Sequence, residues 1–232
     1  DFYEARTDGR VFKGWSDYFV DGWFQTNNAK KYNLNSELMY IKRTLFNSEK
    51  YQLSFNQRYR FSKKFSMNYG LTLTPQNNNT GFAARDGSNI IFGKRDIKNV
   101  ENSMNFKYSF NDKMNLTARL RHYWSKVDYK EFFTLLPDGH LEKNSSFNEN
   151  VNQNINFFNI DATFTWQFAP GSFINLVWKN AAFDYNQVVN DGYLKNFSNT
   201  MKADDNNNIS LKIIYFLDYL QLKTHKKKDK KS

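Results

Sequence analysis

The chain has 232 residues, a formal net charge of +10, 18% aromatic residues, 10 Gly, 3 Pro and no Cys. The absence of Cys excludes disulfides and thiolate metal sites. No run of about 18 apolar residues is present, which excludes a transmembrane helix. Abundant Phe, Tyr and Asn with few Ala residues favour strands over a helical bundle.

Apolar and polar residues alternate along most of the chain, and a period of two indicates strands with one apolar and one polar face. The stretch KYQLSFNQRYRF (50–61) shows the pattern well, since apolar Leu53 and Phe55 stand on either side of polar Ser54. The alternation predicts nine strands, in chain order 10–25, 31–46, 50–61, 65–74, 104–110, 114–124, 158–168, 172–186 and 208–220.

The connections between these strands are of two lengths. Short turns at 62–64, 111–113 and 170–172 alternate with long polar stretches at 75–89, 135–154 and 187–208. Outer-membrane barrels have this asymmetry, with short periplasmic turns and long extracellular loops. The sequence therefore predicts an all-β fold, an antiparallel transmembrane β-barrel of the outer-membrane type, over residues 1–222.

The odd number of predicted strands indicates that the complete barrel has more strands than these nine. The last strand follows a long connection, so it is expected to end on the periplasmic side, and counting back places the start of the first strand outside. Bacterial single-chain barrels have an even number of strands. We therefore expect residues 1–222 to be the C-terminal portion of a larger barrel.

The last ten residues, 223–232, carry six Lys and one Asp and have the composition of a disordered tail. Nucleic-acid binding is the functional alternative for such a run. Because the rest of the chain has no recognition helix, RNA-binding motif or zinc spacing, we predict no nucleic-acid partner.

Three stretches suggest a family: 90–133 with RHYWS (121–125), NIDATFTWQFAPGSFINLVWK (159–179) and the closing NISLKIIYFLDY (208–219). They resemble the C-terminal region of a Bacteroidota family of unknown function. Its members join an N-terminal β-sandwich, similar to carbohydrate-binding module family 9, to a large outer-membrane β-barrel. The resemblance implies the outer membrane of a Gram-negative bacterium as the location and a barrel as the architecture.

Basic residues are the most informative feature of the predicted polar face. Seven are expected to face the barrel lumen: Arg58, Arg60, Lys107, Arg119, Arg121, Lys179 and Lys212. The acidic residues predicted for the same face are Glu37, Asp161 and Asp218. A positive interior would favour anions in a pore. The alternative is that the charges pair across strands or hold a plug.

Five tryptophans, Trp15, Trp23, Trp124, Trp166 and Trp178, are predicted to form girdles at the two membrane interfaces. His122 has the register of a lipid-facing residue and is expected to join such a girdle. Aromatic residues can also serve as platforms for sugars, a role that requires exposure in loops. Phe82, Tyr193 and Phe197 are the loop candidates.

Chemistry-bearing motifs are scarce. His122, His140 and His225 do not have metal-ligand spacing, and no GxSxG, phosphate loop or dinucleotide fingerprint occurs. Acidic pairs such as Asp204 and Asp205 fall in loops, whereas a glycosidase needs two carboxylates on a rigid frame. We predict no catalytic residue, cofactor or metal site in this chain.

Three functional hypotheses follow. The first is a barrel that acts as a pore or as the membrane anchor of a glycan-handling module. The second is a non-conducting structural subunit of a larger outer-membrane assembly. The third, part of a carbohydrate-active enzyme with its active site elsewhere, rests on the resemblance. The expected partners are outer-membrane lipid, the outer-membrane assembly machinery, and glycans or other outer-membrane proteins.

Overall fold

The computed structural model describes residues 3–14 and 16–217, and Trp15, Asp218 and the basic stretch 223–232 lie outside that part. Ten strands form one antiparallel sheet: β1 (Asp17–Gln25), β2 (Tyr32–Arg43), β3 (Glu49–Arg60), β4 (Phe65–Asp86), β5 (Asn89–Asn111), β6 (Met114–Leu135), β7 (Leu141–Lys143), β8 (Gln153–Ala169), β9 (Ser172–Asn186) and β10 (Asp205–Ile214). One helix, α1 (Tyr193–Thr200), and a 3₁₀ turn (Leu45–Asn47) complete the described elements. None of the described helices is both long and apolar enough for a membrane span.

The strands pair in the order β1-β2-β3-β4-β5-β6-β8-β9-β10, and the short β7 pairs with β6. The predicted all-β antiparallel fold is confirmed, and the nine predicted strands are the nine of this path. Within the described residues β1 and β10 each have one partner, so the sheet is open and does not close into a barrel.

The register gives the sheet two distinct faces. On the apolar face, one row across the strands contains Leu211, Leu176, Phe164, Leu116, Tyr108 and Phe65. On the opposite, polar face, a neighbouring row contains Lys179, Asp161, Arg119, Asn105, Asn68, Arg58 and Asn33. Because side chains alternate along each strand, every predicted alternating segment contributes to both faces.

Two of the predicted long connections are wrong. Residues 75–89 are not a loop, since β4 continues to Asp86 and a tight turn leads into β5 at Asn89. Gly87 has a φ of 57°, which glycine adopts without steric cost. In the stretch 187–208, the helix α1 and the start of β10 replace a plain loop. The stretch 135–154 remains largely a connection, with β7 inside it.

The buried apolar cluster lies at one end of the sheet only. It contains Ala5, Phe12, Ile90, Phe92, Phe133 and Leu135, so the segment 3–14 packs there against the long hairpins. Outside this end and the area around Trp124 and His122 that α1 covers, the described residues provide no second layer over the apolar face. Leu116 is 37% exposed, Leu176 43% and Leu211 62%.

Candidate functional site on the polar face

All seven predicted lumen-facing basic residues lie on the polar face. Arg58 and Lys107 are brought there by β3 and β5, where they pair with Asn68 and Ser66 of β4. The other five follow from the same register: Arg60, Arg119, Arg121, Lys179 and Lys212. The structure therefore groups these side chains on one surface, while their position in a lumen remains a prediction.

Two of these arginines are committed to a turn. The Nη2 group of Arg60 donates to the backbone oxygens of Asn28, Ala29 and Lys30 at 2.9, 2.6 and 2.7 Å. Arg58 Nη2 donates to the Asn28 oxygen at 2.6 Å. Because three successive carbonyls of the β1–β2 turn converge on these guanidinium groups, both arginines brace this turn.

A charged row crosses the middle of the face. Asp161 of β8 stands in register between Arg119 of β6 and Lys179 of β9. Side chains in such cross-strand positions have Cβ atoms about 5 Å apart and can interact. In residues 3–14 and 16–217, however, no ion pair within 4.0 Å includes Asp161 or Glu37. The charges of this row are therefore available to solvent or a ligand.

Trp23 belongs to the polar face, which corrects its grouping with the lipid-side girdle. It stands directly opposite Glu37 in the β1–β2 register and is 76% exposed. A cavity of about 360 Å³ adjoins the indole. The side chains around it are Asp21, Gln25, Asn35, Glu37 and Asn56.

Amide side chains continue this surface across the sheet. Gln25, Asn35 and Asn56 stand side by side in the register of β1, β2 and β3, and Gly70 of β4 follows. A second cavity of about 360 Å³ includes the same three amides and extends to Asn68 and Asn105. Sequence reasoning missed these residues. The alternation in β1 and β2, with its phase set by Glu37, is the signal that could have found them.

The remaining predicted girdle residues divide into two groups on the apolar face. Trp166 and Trp178 are 40% and 39% exposed, which suits an interface. Trp124 and His122 are 4% and 3% exposed because α1 lies over them. The structure therefore covers these two side chains with α1, and their place in a membrane girdle stays a prediction.

A hydrogen-bond network of polar side chains, the amide network, holds α1 on the apolar face. Trp124 Nε1 donates to Asn154 Oδ1 at 2.8 Å, and Asn154 Nδ2 donates to Asn196 Oδ1 of α1 at 2.6 Å. The hydroxyl of Tyr193 lies 2.9 Å from His122 Nδ1 and accepts from Asn102 Nδ2 at 2.7 Å. Burial raises the pKa of Tyr193, so its hydroxyl keeps its proton at neutral pH. These contacts give His122 a structural position.

In the described part of the chain, no group of three or more His, Asp, Glu or Cys side chains could hold a metal ion. His140 pairs with Asp138 at 3.1 Å in the connection after β6. His225 lies outside the described residues. Phe82 and Phe197, predicted as loop platforms, lie in β4 and α1. The Arg6 guanidinium lies over the Phe82 ring, and Phe197 makes an edge-to-face contact with His122.

Around Trp23, the exposed indole that the described residues place on the polar face, Asp21, Gln25, Asn35, Glu37 and Asn56 therefore form a surface of amides and carboxylates. A family model described as a domain of unknown function, DUF5916, matches residues 1–226. A search of curated proteins finds no match.

Proposed function

The chain belongs to the DUF5916 family, whose function is unknown, and we propose that its sheet is part of a β-barrel in a Gram-negative outer membrane, serving as a pore or as a membrane anchor for a glycan-handling module. Its apolar face meets lipid, and its polar face lines the interior. The partners in this proposal are outer-membrane lipid and the machinery that inserts barrels.

The uncovered apolar face carries the proposal. A sheet in a water-soluble domain buries one face against a second layer, whereas Leu116, Leu176 and Leu211 are more than a third exposed and have no such layer over them. The apolar run on β4, residues 65–75, is 11 residues long, and the run on β3, residues 51–60, is 10 residues long. A tilted transmembrane strand needs about 9–11 residues.

The edge of the apolar area crosses the sheet obliquely, as expected when strands tilt in a bilayer. One row of the apolar face starts with polar Asp184 and Asn156 at the β9 side. The same row ends with Val100, Leu73, Leu53 and Leu38 towards β2. Strands of membrane barrels tilt by about 35–45°, so a lipid slab of constant height would cross successive strands at shifted positions. A flat protein layer has no reason to require this slope.

The two free edges set a condition on the proposal. Unpaired backbone N–H and C=O groups are too costly to leave in hydrocarbon. The β1 and β10 edges must therefore pair with further strands before the sheet can sit in a bilayer. Exposed Ile209 and Ile213 on β10, and Val20 and Phe24 on β1, extend the apolar face to both edges.

Lipid contact can be tested with the tryptophans. In vesicles containing lipids brominated on the acyl chains, we expect quenching of the emission of Trp166 and Trp178, because both indoles lie on the apolar face. The double replacement of these two residues by Phe should remove most of the quenching. Trp23→Phe is the matched control, since Trp23 lies on the polar face, and it should leave the quenching intact. Loss of the quenching in Trp23→Phe but not in the double replacement would refute lipid contact by this face.

A non-conducting subunit of a larger assembly is the second candidate. The engagement of Arg58 and Arg60 with the β1–β2 turn favours it, because these arginines donate to backbone carbonyls and brace the structure. Ion current in planar bilayers separates the two candidates. A pore conducts and a scaffold does not, although both would show quenching of Trp178.

A further inference from the structure

We propose that the polar face carries a binding track for neutral oligosaccharides that begins at Trp23. The track is defined here by Asp21, Trp23, Gln25, Asn35, Glu37 and Asn56, with its continuation over Gly70. It requires only that the polar face be open to solvent, so it does not depend on the membrane proposal.

The surface proposed to contact a sugar ring is the Trp23 indole, whose exposed position is not explained by packing within the sheet. Trp23 is 76% exposed on the polar face, where the sheet otherwise carries amides and charges. A large, rigid, flat apolar surface with a polar N–H is suited to contact with a ring that is apolar on its face and polar at its rim. A pyranose has that character, since its C–H groups form a face and its hydroxyl groups form the rim.

The groups around the indole match such a rim. Hydroxyl groups both donate and accept, and the amides of Gln25, Asn35 and Asn56 also do both. The carboxylates of Asp21 and Glu37 accept only, and charge strengthens the hydrogen bonds they receive. Within residues 3–14 and 16–217 these five side chains make no hydrogen bond or ion pair with protein, and all are exposed. By contrast, neighbouring Asn33 is buried and bonded to Thr26.

The shape of the surface favours an extended ligand. The two cavities of about 360 Å³ share Gln25, Asn35 and Asn56, so they form one groove that runs across the strands from β1 to β5. Gly70 keeps its floor low, because a Cβ at this position would lie 2.7 Å from Ser103 Oγ and 2.9 Å from Asn56 Oδ1. Five strands span about 19 Å at the usual spacing, which is room for several sugar rings.

The charges select neutral sugars. Two carboxylates beside the platform repel uronic acids and phosphates. The nearest arginines, Arg58 and Arg60, are held by the carbonyls of the β1–β2 turn. A quaternary ammonium ion is the competing ligand, since it could pair with an indole and carboxylates, but it would leave the row of amides unused.

Binding should be measured on the chain in an amine-oxide detergent, whose headgroup is neither a sugar nor choline. The probes are maltohexaose, cellohexaose and mannohexaose, with hexagalacturonate and choline as contrasts, followed by calorimetry and tryptophan emission. We expect at least one neutral hexaose to bind and shift the emission to the blue. Trp23→Ala should weaken that binding about tenfold or more, which corresponds to about 1.4 kcal/mol. Hexagalacturonate should bind at least about tenfold more weakly than the neutral hexaose.

Phe19→Ala is the matched control, because Phe19 is 69% exposed on the same strand and face but lies outside the track. Glu37→Gln and Asn56→Ala provide independent variants if Trp23→Ala does not fold. Failure of all three neutral hexaoses to bind, equal binding by Trp23→Ala and Phe19→Ala, or binding of choline alone would overturn the proposal. Quenching by brominated lipids reports on the membrane proposal separately, so the two can fail independently.

Discussion

Replacement of Asn196 by Ala should release α1 from the sheet. Asn196 is fully buried, and its Oδ1 accepts from Asn154 and Asn156 at 2.6 and 3.4 Å. Its Nδ2 donates to the backbone oxygens of Asp191 and Gly192 at 3.3 and 2.9 Å. The substitution removes all four hydrogen bonds while the surrounding strands stay paired.

The expected loss of docking free energy depends on which hydrogen bonds the partners of Asn196 retain. Asn154 Nδ2 retains Asn186 Oδ1 at 3.0 Å and the Val188 oxygen at 2.9 Å, so its loss is small. Asn156 retains no hydrogen bond from Nδ2. A buried group left without a partner costs about 1–3 kcal/mol, and a lost hydrogen bond about 0.5–1.5 kcal/mol net. After subtraction of the better helix propensity of Ala, roughly 0.5 kcal/mol, docking of α1 should weaken by about 2–3 kcal/mol.

Trypsin can measure this local opening, because Lys195 lies in α1 and Lys202 just after it. When opening is fast relative to cleavage, the cleavage rate follows the population of the open form. Cleavage at these two sites should therefore accelerate about 30- to 150-fold in Asn196→Ala. Ser198→Ala is the control, because Ser198 lies exposed on the same helix. If both variants are cleaved at rates within about threefold of each other, the amide network does not hold the helix on the sheet.

Two further outcomes are expected. Leu116→Arg should lower the free energy of unfolding in phospholipid vesicles by about 2–4 kcal/mol. Thr117→Arg, on the polar face of the same strand, should lower it much less. Equal midpoints of urea unfolding for the two variants would contradict the assignment of faces. Hydrogen bonds from Lys94 and Lys143 lower the pKa of Glu131, in the part of β6 beyond the apolar area. The resulting stabilisation is therefore present above the unfolded-state pKa and is lost as the pH falls through the lower folded-state value. Hydrogen exchange around β7 should accelerate over that acid range in the parent protein and in the control Glu142→Gln. It should not accelerate in Glu131→Gln. Identical pH profiles in all three proteins would rule out the ion pairs of Glu131 as the cause.

The strands of the apolar area were predictable because one physical signal marks them. In 50–61 and 65–74 a continuous apolar face imposes the period of two, and tight turns at 62–64 and 170–172 separate the strands. Those turns are confirmed by the structure. The bounds of β1 were less accurate, since the prediction began at residue 10 and the strand begins at Asp17.

The signal disappears where both faces of a strand are polar. Residues 76–80 of β4 read Gln-Asn-Asn-Asn-Thr, which resembles a loop, yet the strand continues through them and pairs with β5 at Gln76, Asn79 and Thr80. Register shifts between Gln76 and Asn79 and between Phe82 and Ala84 also break the alternation. Cross-strand hydrogen bonds do not require an apolar face, so hydropathy cannot report them.

The candidate site was only partly predictable for a different reason. The phase of the alternation placed Arg119, Lys179 and the other basic residues on one face, because each lies in a regular strand. Trp23 was misplaced because the pattern of β1 is irregular, with Phe19 and Trp23 in phase with Asp21. The covering of Trp124 and His122 by α1 depends on contacts between residues about 70 apart in sequence, such as His122 with Tyr193, which no local pattern shows.

The hairpin of β4 and β5 has a consequence for how the molecule would meet its surroundings. The two strands have 22 and 23 residues, which at about 3.3 Å per residue is more than 70 Å, whereas the hydrocarbon layer is about 30 Å thick. Even when tilted, such a hairpin would stand well clear of the lipid headgroups, stiffened along its length by β6. In a bilayer, the turn at Gly87 would then lie in the aqueous phase, well beyond the lipid headgroups, together with the residues packed at that end of the sheet.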